Sequence, residues 1–265
     1  MRERTVQNDA DNDKIERSLD RPYEQEPYLT TENFNHYTIG IGSMSIKAIL
    51  FGASGMVGEG VLHTILNDPR ISSVLVIGRR PSGTVHEKLR ELLHNNFFDL
   101  SNIESQLSGY TASYFCLGTT SLGKTEQEYF KTTYELTMHT GKTLSRLNPG
   151  MTFCYVSGEG TDSTENGKVA WARIKGKTEN DLMKLPFKAV YNFRPGFIRP
   201  IKGMKHTLTF TKPLGMLYPI LKALLPSHGT TMENIGHAMI AVTLQGYPKQ
   251  ILENKDIDAA AVRQR

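Results

Sequence analysis

The sequence has little of what marks several common protein classes. Its 265 residues include only two cysteines, Cys116 and Cys154, each inside an apolar run. That argues against a disulfide scaffold and fits two small core residues in a reducing compartment. Neither C-x-x-C nor H-E-x-x-H occurs, so no metal site is expected. No apolar run reaches 18 residues, so no transmembrane helix is expected either. The longest apolar stretch, PLGMLYPILKALLP at 213–226, is too short to span and carries Lys222. It reads as a core or pocket helix and leaves peripheral membrane contact open. Tryptophan is almost absent, with Trp171 alone in the chain.

What is present is an ordinary polar-apolar balance with uneven charge. The first 43 residues hold 5 basic and 9 acidic side chains, and the remainder holds 26 basic and 18 acidic. Residues 1–43 are charged and poor in aliphatics, so they read as a tail unable to bury enough to order itself. They lack an apolar h-region, which argues against a secretory signal, and their acidic residues argue against a transit peptide. A cytoplasmic protein is expected. Met44 directly precedes SIKAILFGASG, so the folded domain is expected over 44–265, and Met44 is a candidate for the true start. The basic body suits an anionic small-molecule ligand. The segment RPIKGMKHTLTFTK at 199–212 has basic residues but no nucleic-acid reader pattern, and no nucleic acid is expected. A homodimer is compatible with the sequence.

From Met44 onward, short β-rich runs alternate with longer helical patterns. Strands are expected at 46–51, 73–78, 96–100, 112–117, 151–157 and 188–193. Helices are expected near 56–67, 85–93, 125–147, 168–184, 214–225 and 232–243, the last capped by Thr230 or Thr231. Continuous apolar strands between helices imply an α/β fold, a doubly wound parallel sheet with helices on both faces.

The strongest motif is ILFGASGMVGEGVL. Gly52, Gly55 and Gly58 give G-x-x-G-x-x-G between the first strand and the first helix, a spacing variant of the dinucleotide fingerprint. Glycines there permit a tight turn and close backbone approach to a pyrophosphate at a helix N-terminus. Residues Gly52, Ala53, Ser54, Gly55, Met56, Val57 and Gly58 are therefore candidate cofactor-binding residues. An NAD enzyme usually places an acid about 20 residues beyond this loop, for the ribose hydroxyls. Here VIGRRP places Arg79 and Arg80 instead. Two guanidinium groups favour a 2′-phosphate, so NADP(H) is preferred, with NAD(H) as the alternative. Asp99 and Leu100, at the end of the expected third strand, are candidates for the adenine, and a turn or cap role for Asp99 stands beside that.

A second phosphate-binding pattern competes. Gly118, Gly123, Lys124 and Thr125 match G-x-x-x-x-G-K-[ST] after an apolar run. No strand ending in Asp supplies an evident Mg²⁺ ligand, and the first loop has the better position. The pattern then reads as a turn beside the cofactor, with Lys124 exposed or near substrate. VSGEG has its serine before the first glycine and so fails the nucleophile-elbow pattern of a hydrolase.

The segments FGASGMVG, VIGRR, CLGTT, YVSGEG and NFRPGF, in this order, with ILENKDI near the C-terminus, carry a family likeness. Over residues 45–257 the chain resembles atypical short-chain dehydrogenase/reductases of the epimerase/dehydratase superfamily, and within them the Tat-interacting oxidoreductase-like group. The resemblance implies a Rossmann domain binding NADP(H), with a small C-terminal substrate-side region. It implies hydride transfer between nicotinamide and a carbonyl or alcohol substrate. It further implies that Leu117 and Gly118 pass beneath the cofactor ribose. Pro195, Gly196 and Phe197 would lie near the nicotinamide. Ser157 matches the catalytic serine, and Lys175 matches the lysine of Y-x-x-x-K, which also contacts the ribose. The tyrosine of that motif falls on Trp171. Trp171 and Lys175 still share a helix face, but an indole N–H is no usable acid or base near neutral pH. Three readings stay open. The protein uses another proton source: Ser157, Ser163, a nearby tyrosine or a water held by Lys175. Alternatively Trp171 packs a substrate or the nicotinamide and the chemistry differs. In the third, the protein is a catalytically silent NADP(H)-binding sensor or interaction protein.

Overall fold

The computed structural model describes residues 45–201, 204 and 229–262. The expected tail at 1–43, Met44, the segment from 205 to 212 and the apolar stretch 213–226, with its expected helix, lie outside these residues. Nine strands are described. They are β1 (Ile46–Phe51), β2 (Ile71–Gly78), β3 (Leu89–Leu93), β4 (Ala112–Phe115), β5 (Thr152–Val156), β6 (Ala189–Arg194), β7 (Phe197–Arg199), β8 (Gly229–Thr231) and β9 (Ile251–Glu253). Seven form one sheet in the order β3-β2-β1-β4-β5-β6-β9, every neighbouring pair parallel. The short strands β7 and β8 pair separately.

The sheet is parallel because its central strands are apolar on both faces and need cover from both sides. Along β1, Ile46, Ala48 and Leu50 enter one core while Ile49 and Phe51 enter the other. The first core is closed by α1 (Met56–Leu66), α5 (Met232–Gln245) and α6 (Asn254–Val262), through Val61, Ile65, Ile235, Met239 and Ile257. The second is closed by α3 (Leu136–Leu147) and α4 (Ala170–Leu182), through Met138, Leu144 and Leu182. Thr231 caps α5, its hydroxyl accepting from the Asn234 N–H at 3.1 Å. β1 lies between β2 and β4, so the winding reverses there. That reversal leaves a crevice at the C-terminal ends of the strands, where the loops after β1, β2 and β4 meet.

Two sequence expectations fail at the sheet edge. The stretch 85–93 was expected as helix and 96–100 as strand. Instead β3 occupies Leu89–Leu93 and pairs with β2 from Val74↔Leu89 to Gly78↔Leu93, while 96–100 is a turn-containing loop. LRELL has good helix formers, and an edge strand half in water lacks the continuous apolar signature. Pairing with β2 overrides propensity there. The expected helix at 125–147 is present but divided. α2 (Glu126–Phe130) and α3 are joined by a π-helical segment, Lys131–Glu135.

Candidate functional site

The glycine loop is held by sterics. Gly52 has φ +83°, and the Gly55 N–H donates to its carbonyl oxygen at 2.9 Å. A Cβ on Gly52 would lie 2.7 Å from the Cys116 carbonyl carbon and the Leu117 nitrogen. A Cβ on Gly58 would lie 2.0 Å from the Gly52 oxygen. The turn is thus wedged between the exit of β4 and the first turn of α1. Gly55 stands at the N-cap of α1 with no side-chain cap, so the first helical N–H groups stay available to an anion. Ala53 turns its side chain into the core, Ser54 is exposed, and Met56 and Val57 are half-buried. Gly58→Ala is expected to cost about 1–3 kcal/mol by forcing backbone apart. Urea unfolding measures it, and an unchanged midpoint would contradict the wedge.

One cavity adjoins this loop, and a second shares Arg79, Phe97 and Leu117 with it. The first is lined by Gly52, Ser54, Gly78, Arg79, Arg80 and Leu117. The other, of about 280 Å³, is lined by Arg79, Asn96, Phe97, Leu117, Gly118 and Lys124 among others. No Asp or Glu lines either. Arg79 and Arg80 are exposed and make no ion pair among the described residues. Asp99 and Leu100 line neither cavity. The Asp99 carboxylate accepts from the Ser101 N–H at 3.0 Å, and hydrogen bonding from the Ser101 side chain and then its backbone holds the Asp99 pKa below the usual carboxylate range. That i, i+2 bond is an Asx turn leading into the short 3₁₀ turn Ser101–Gln106, the turn role weighed above. Leu100 is buried beside Phe97 and Phe51 in the second core.

The phosphate-loop pattern at 118–125 has no cradle. A Cβ on Gly118 or Gly123 would meet nothing within 4 Å, so neither glycine serves close approach. The Thr125 hydroxyl accepts from the Glu128 N–H and donates to the Glu128 carboxylate at 2.9 Å. It caps α2 and is not directed at a metal ion.

The catalytic candidates gather where β5, β6 and α4 meet. The Lys175 ammonium donates to the Ser157 carbonyl oxygen. Burial pushes its pKa down to about 8, against the opposing pull of the Glu179 charge. A Cβ on Gly158, whose φ is +146°, would stand 3.6 Å from that ammonium. The Trp171 ring lies one helical turn earlier, against the same loop, with Cη2 3.3 Å from the Cβ position of Gly160. Pro195 joins them, its carbonyl accepting from the Glu159 N–H at 3.0 Å. Gly196 donates to the buried Asn254 side chain at 2.9 Å, and Phe197 is partly exposed on β7.

The Ser157 hydroxyl is turned toward the protein interior. It donates to Glu179 Oε1 at 2.5 Å, with the Phe193 carbonyl oxygen 3.1 Å away. Glu179 is fully buried and is paired with the buried Arg194, whose Nε donates to Oε1 at 3.0 Å. Arg194 also reaches Ser163 Oγ at 2.5 Å and Glu253 Oε1 at 3.3 Å. The Ser157 hydroxyl therefore faces an internal ion pair. Sequence reasoning missed Glu179 and Arg194. The signal for Glu179 was its place four residues past Lys175 on one helix face; Arg194 lay inside NFRPGF without a partner to suggest its role.

No protein-family model matches the sequence. Among curated proteins, the mitochondrial protein fmp52 of Emericella nidulans is 30% identical over 190 residues, 65% of this chain and 78% of that protein. The rat protein HTATIP2 is 24% identical over 155 residues, 57% of this chain and 62% of that one. Among solved structures, the Bordetella bronchiseptica enzyme WbmG in complex with NAD superposes with TM-score 0.59 at 14% identity, covering 85% of this chain and 80% of that one. An oxidoreductase of the short-chain dehydrogenase/reductase family from Burkholderia thailandensis gives 0.58 at 12% identity, over 76% and 86%. These match the resemblance to that family, its Tat-interacting group and the Rossmann fold read from the motifs. They also correct the compartment: several of the relatives are named mitochondrial, against the expected cytoplasm. That expectation rested on missing leader features in the first residues. A fold that works in either compartment carries no address in its core. Among the described residues, no helix is long and apolar enough to cross a membrane.

Proposed function

This chain belongs to the fmp52 family, and we propose that it is an NADP(H)-dependent oxidoreductase acting on a small carbonyl or alcohol substrate. The observation that carries the cofactor half is the glycine wedge at 52–58 near two acid-free cavities bearing Arg79 and Arg80. The wedge suits a pyrophosphate on the α1 N-terminus. An acid for ribose hydroxyls is missing from both cavities, and two guanidinium groups suit a 2′-phosphate. Gly52, Gly55, Gly58, Leu117 and Gly118 would hold the dinucleotide, with Pro195, Gly196 and Phe197 toward its reactive end.

A bound nicotinamide dinucleotide would supply hydride chemistry at the carbonyl carbon. The proton for the carbonyl oxygen comes from the Lys175 ammonium, and the neutral amine left behind regains a proton from water. One of its three N–H bonds is spent on the Ser157 carbonyl, which aims the group and leaves two donors. Ser157 anchors the lysine through its backbone and the ion pair through its hydroxyl. Trp171 and Phe197 supply apolar walls on the substrate side. The mitochondrial names of the relatives support the same compartment for this chain.

Trp171 at the tyrosine position favours one competing reading, an NADP(H) sensor without turnover. One experiment addresses both. Emission of the lone tryptophan should be quenched by NADPH and far less by NADH, and NADPH should be oxidised with a panel of aldehydes, ketones and quinones. Comparable NADH binding would overturn the cofactor preference. Quenching without oxidation of NADPH across the panel would favour the sensor.

A further inference from the structure

Three cations, Arg79, Arg80 and Lys124, line the cavities near the glycine loop without an ion pair among the described residues. Several described basic side chains are paired with acids, among them Arg70 with Asp68, Arg173 with Glu126 and Arg194 with Glu179. Arg79, Arg80 and Lys124 are exposed and carry no ion pair among the described residues. Lys124 influences Glu128 electrostatically, but that carboxylate is spent on Thr125. Arg79 follows β2, and Lys124 lies in the loop after β4. They come from elements on either side of β1 and line one cavity of about 280 Å³, just under the usual span for ligand sites. The same cavity holds Asn96, Gly118 and Thr119, and no acid. Two unpaired charges converging on an acid-free space repel each other unless an anion lies between them.

We propose that Lys124 is a specificity residue, the second cation that with Arg79 grips the 2′-phosphate of the bound dinucleotide and so selects NADP(H). The lysine of the phosphate-loop pattern then does bind phosphate, but of a dinucleotide and from the opposite wall of another site. This rests on the NADP(H) reading above. It adds a contact that Arg79 and Arg80 alone do not provide, because those two approach from the β2 side only.

The test uses the full chain and calorimetric titration with 2′,5′-ADP and with 5′-AMP, which differ by the phosphate in question. Wild type should prefer 2′,5′-ADP. Lys124→Ala should weaken 2′,5′-ADP about tenfold, as expected for one lost charge-assisted contact, and leave 5′-AMP unchanged. Lys124→Arg should restore most of the loss. Lys124 is exposed, so neither variant threatens the fold. Equal losses on both probes, or none on either, would overturn the role of Lys124 while leaving the NADP(H) reading intact. A wild type that binds both probes equally would overturn both.

Discussion

Replacing Lys175 by methionine is expected to lower the carbonyl-reduction rate by about 10³-fold, within the range for losing a positioned acid, while NADPH still binds. The expectation follows by elimination among the groups that could supply the proton. The Ser157 hydroxyl is given to Glu179. Ser163 Oγ is held by Arg194, within the Glu179 ion-pair network. Tyr134 donates to Asp181 at 2.7 Å, and Tyr155 is buried with its pKa pushed up. Trp171 cannot exchange a proton at working pH. Lys175 is left, half-buried, with its pKa brought down to about 8 by burial.

That value sets the sign of the pH dependence. The ammonium is the proton donor and is present below about pH 8. As pH rises through that point the donor is lost, so reduction should fall tenfold per unit. Alcohol oxidation needs the neutral amine and should rise over the same interval. Rates measured from pH 6 to 10 in both directions check this. A flat reduction profile, or a methionine variant at wild-type rate, would remove Lys175 from the mechanism. Methionine keeps the length of the stem and removes a buried charge, so the fold should survive.

Glu179→Gln is expected to cost about 3–5 kcal/mol, the scale for stranding one member of a buried pair. Arg194 would keep its charge among groups that exclude water, with only Glu253 at 3.3 Å to answer it. Ser157 would lose its charged acceptor at the same time. A paired replacement, Glu179→Leu with Arg194→Met, should recover most of the loss, because two apolar groups need no partners. Urea unfolding of the three variants tests this. A single-variant loss below about 1 kcal/mol would mean water reaches the pair. Whatever glutamine variant remains folded carries a second signature. The Glu179 charge supports the Lys175 ammonium, so its removal should move the alkaline limb of reduction below pH 8.

Much of the candidate site's layout was legible in the sequence, residue by residue. Gly52 and Gly58 sit in a strand-turn-helix where only glycine fits, with backbone 2.7 and 2.0 Å from where a Cβ would stand. Arg79 and Arg80 follow a strand end, and their side chains line the adjoining cavity. Trp171 and Lys175, four apart, face one loop. Other residues were opaque for identifiable reasons. Asp99 and Leu100 were assigned from a strand that lies several residues earlier, at Leu89–Leu93. At a half-solvated edge the apolar count is too low to separate strand from helix. Ser157 was placed correctly at the end of β5, but the direction of its hydroxyl depends on Glu179, 22 residues away.

By itself the sequence determined the parallel α/β sheet, the glycine turn at its first crossover and the basic pair after β2. Each follows from local periodicity or from sterics between near neighbours, which a linear pattern records. Only the tertiary structure decided what the charged and hydroxyl groups do. Ser157, Glu179 and Arg194 meet because β5, α4 and β6 converge, and Lys124 faces the cavity of Arg79 because β4 and β2 flank β1. A charge takes its role from the partner that burial brings near, and for these residues the partner is named by strand order and not by sequence distance.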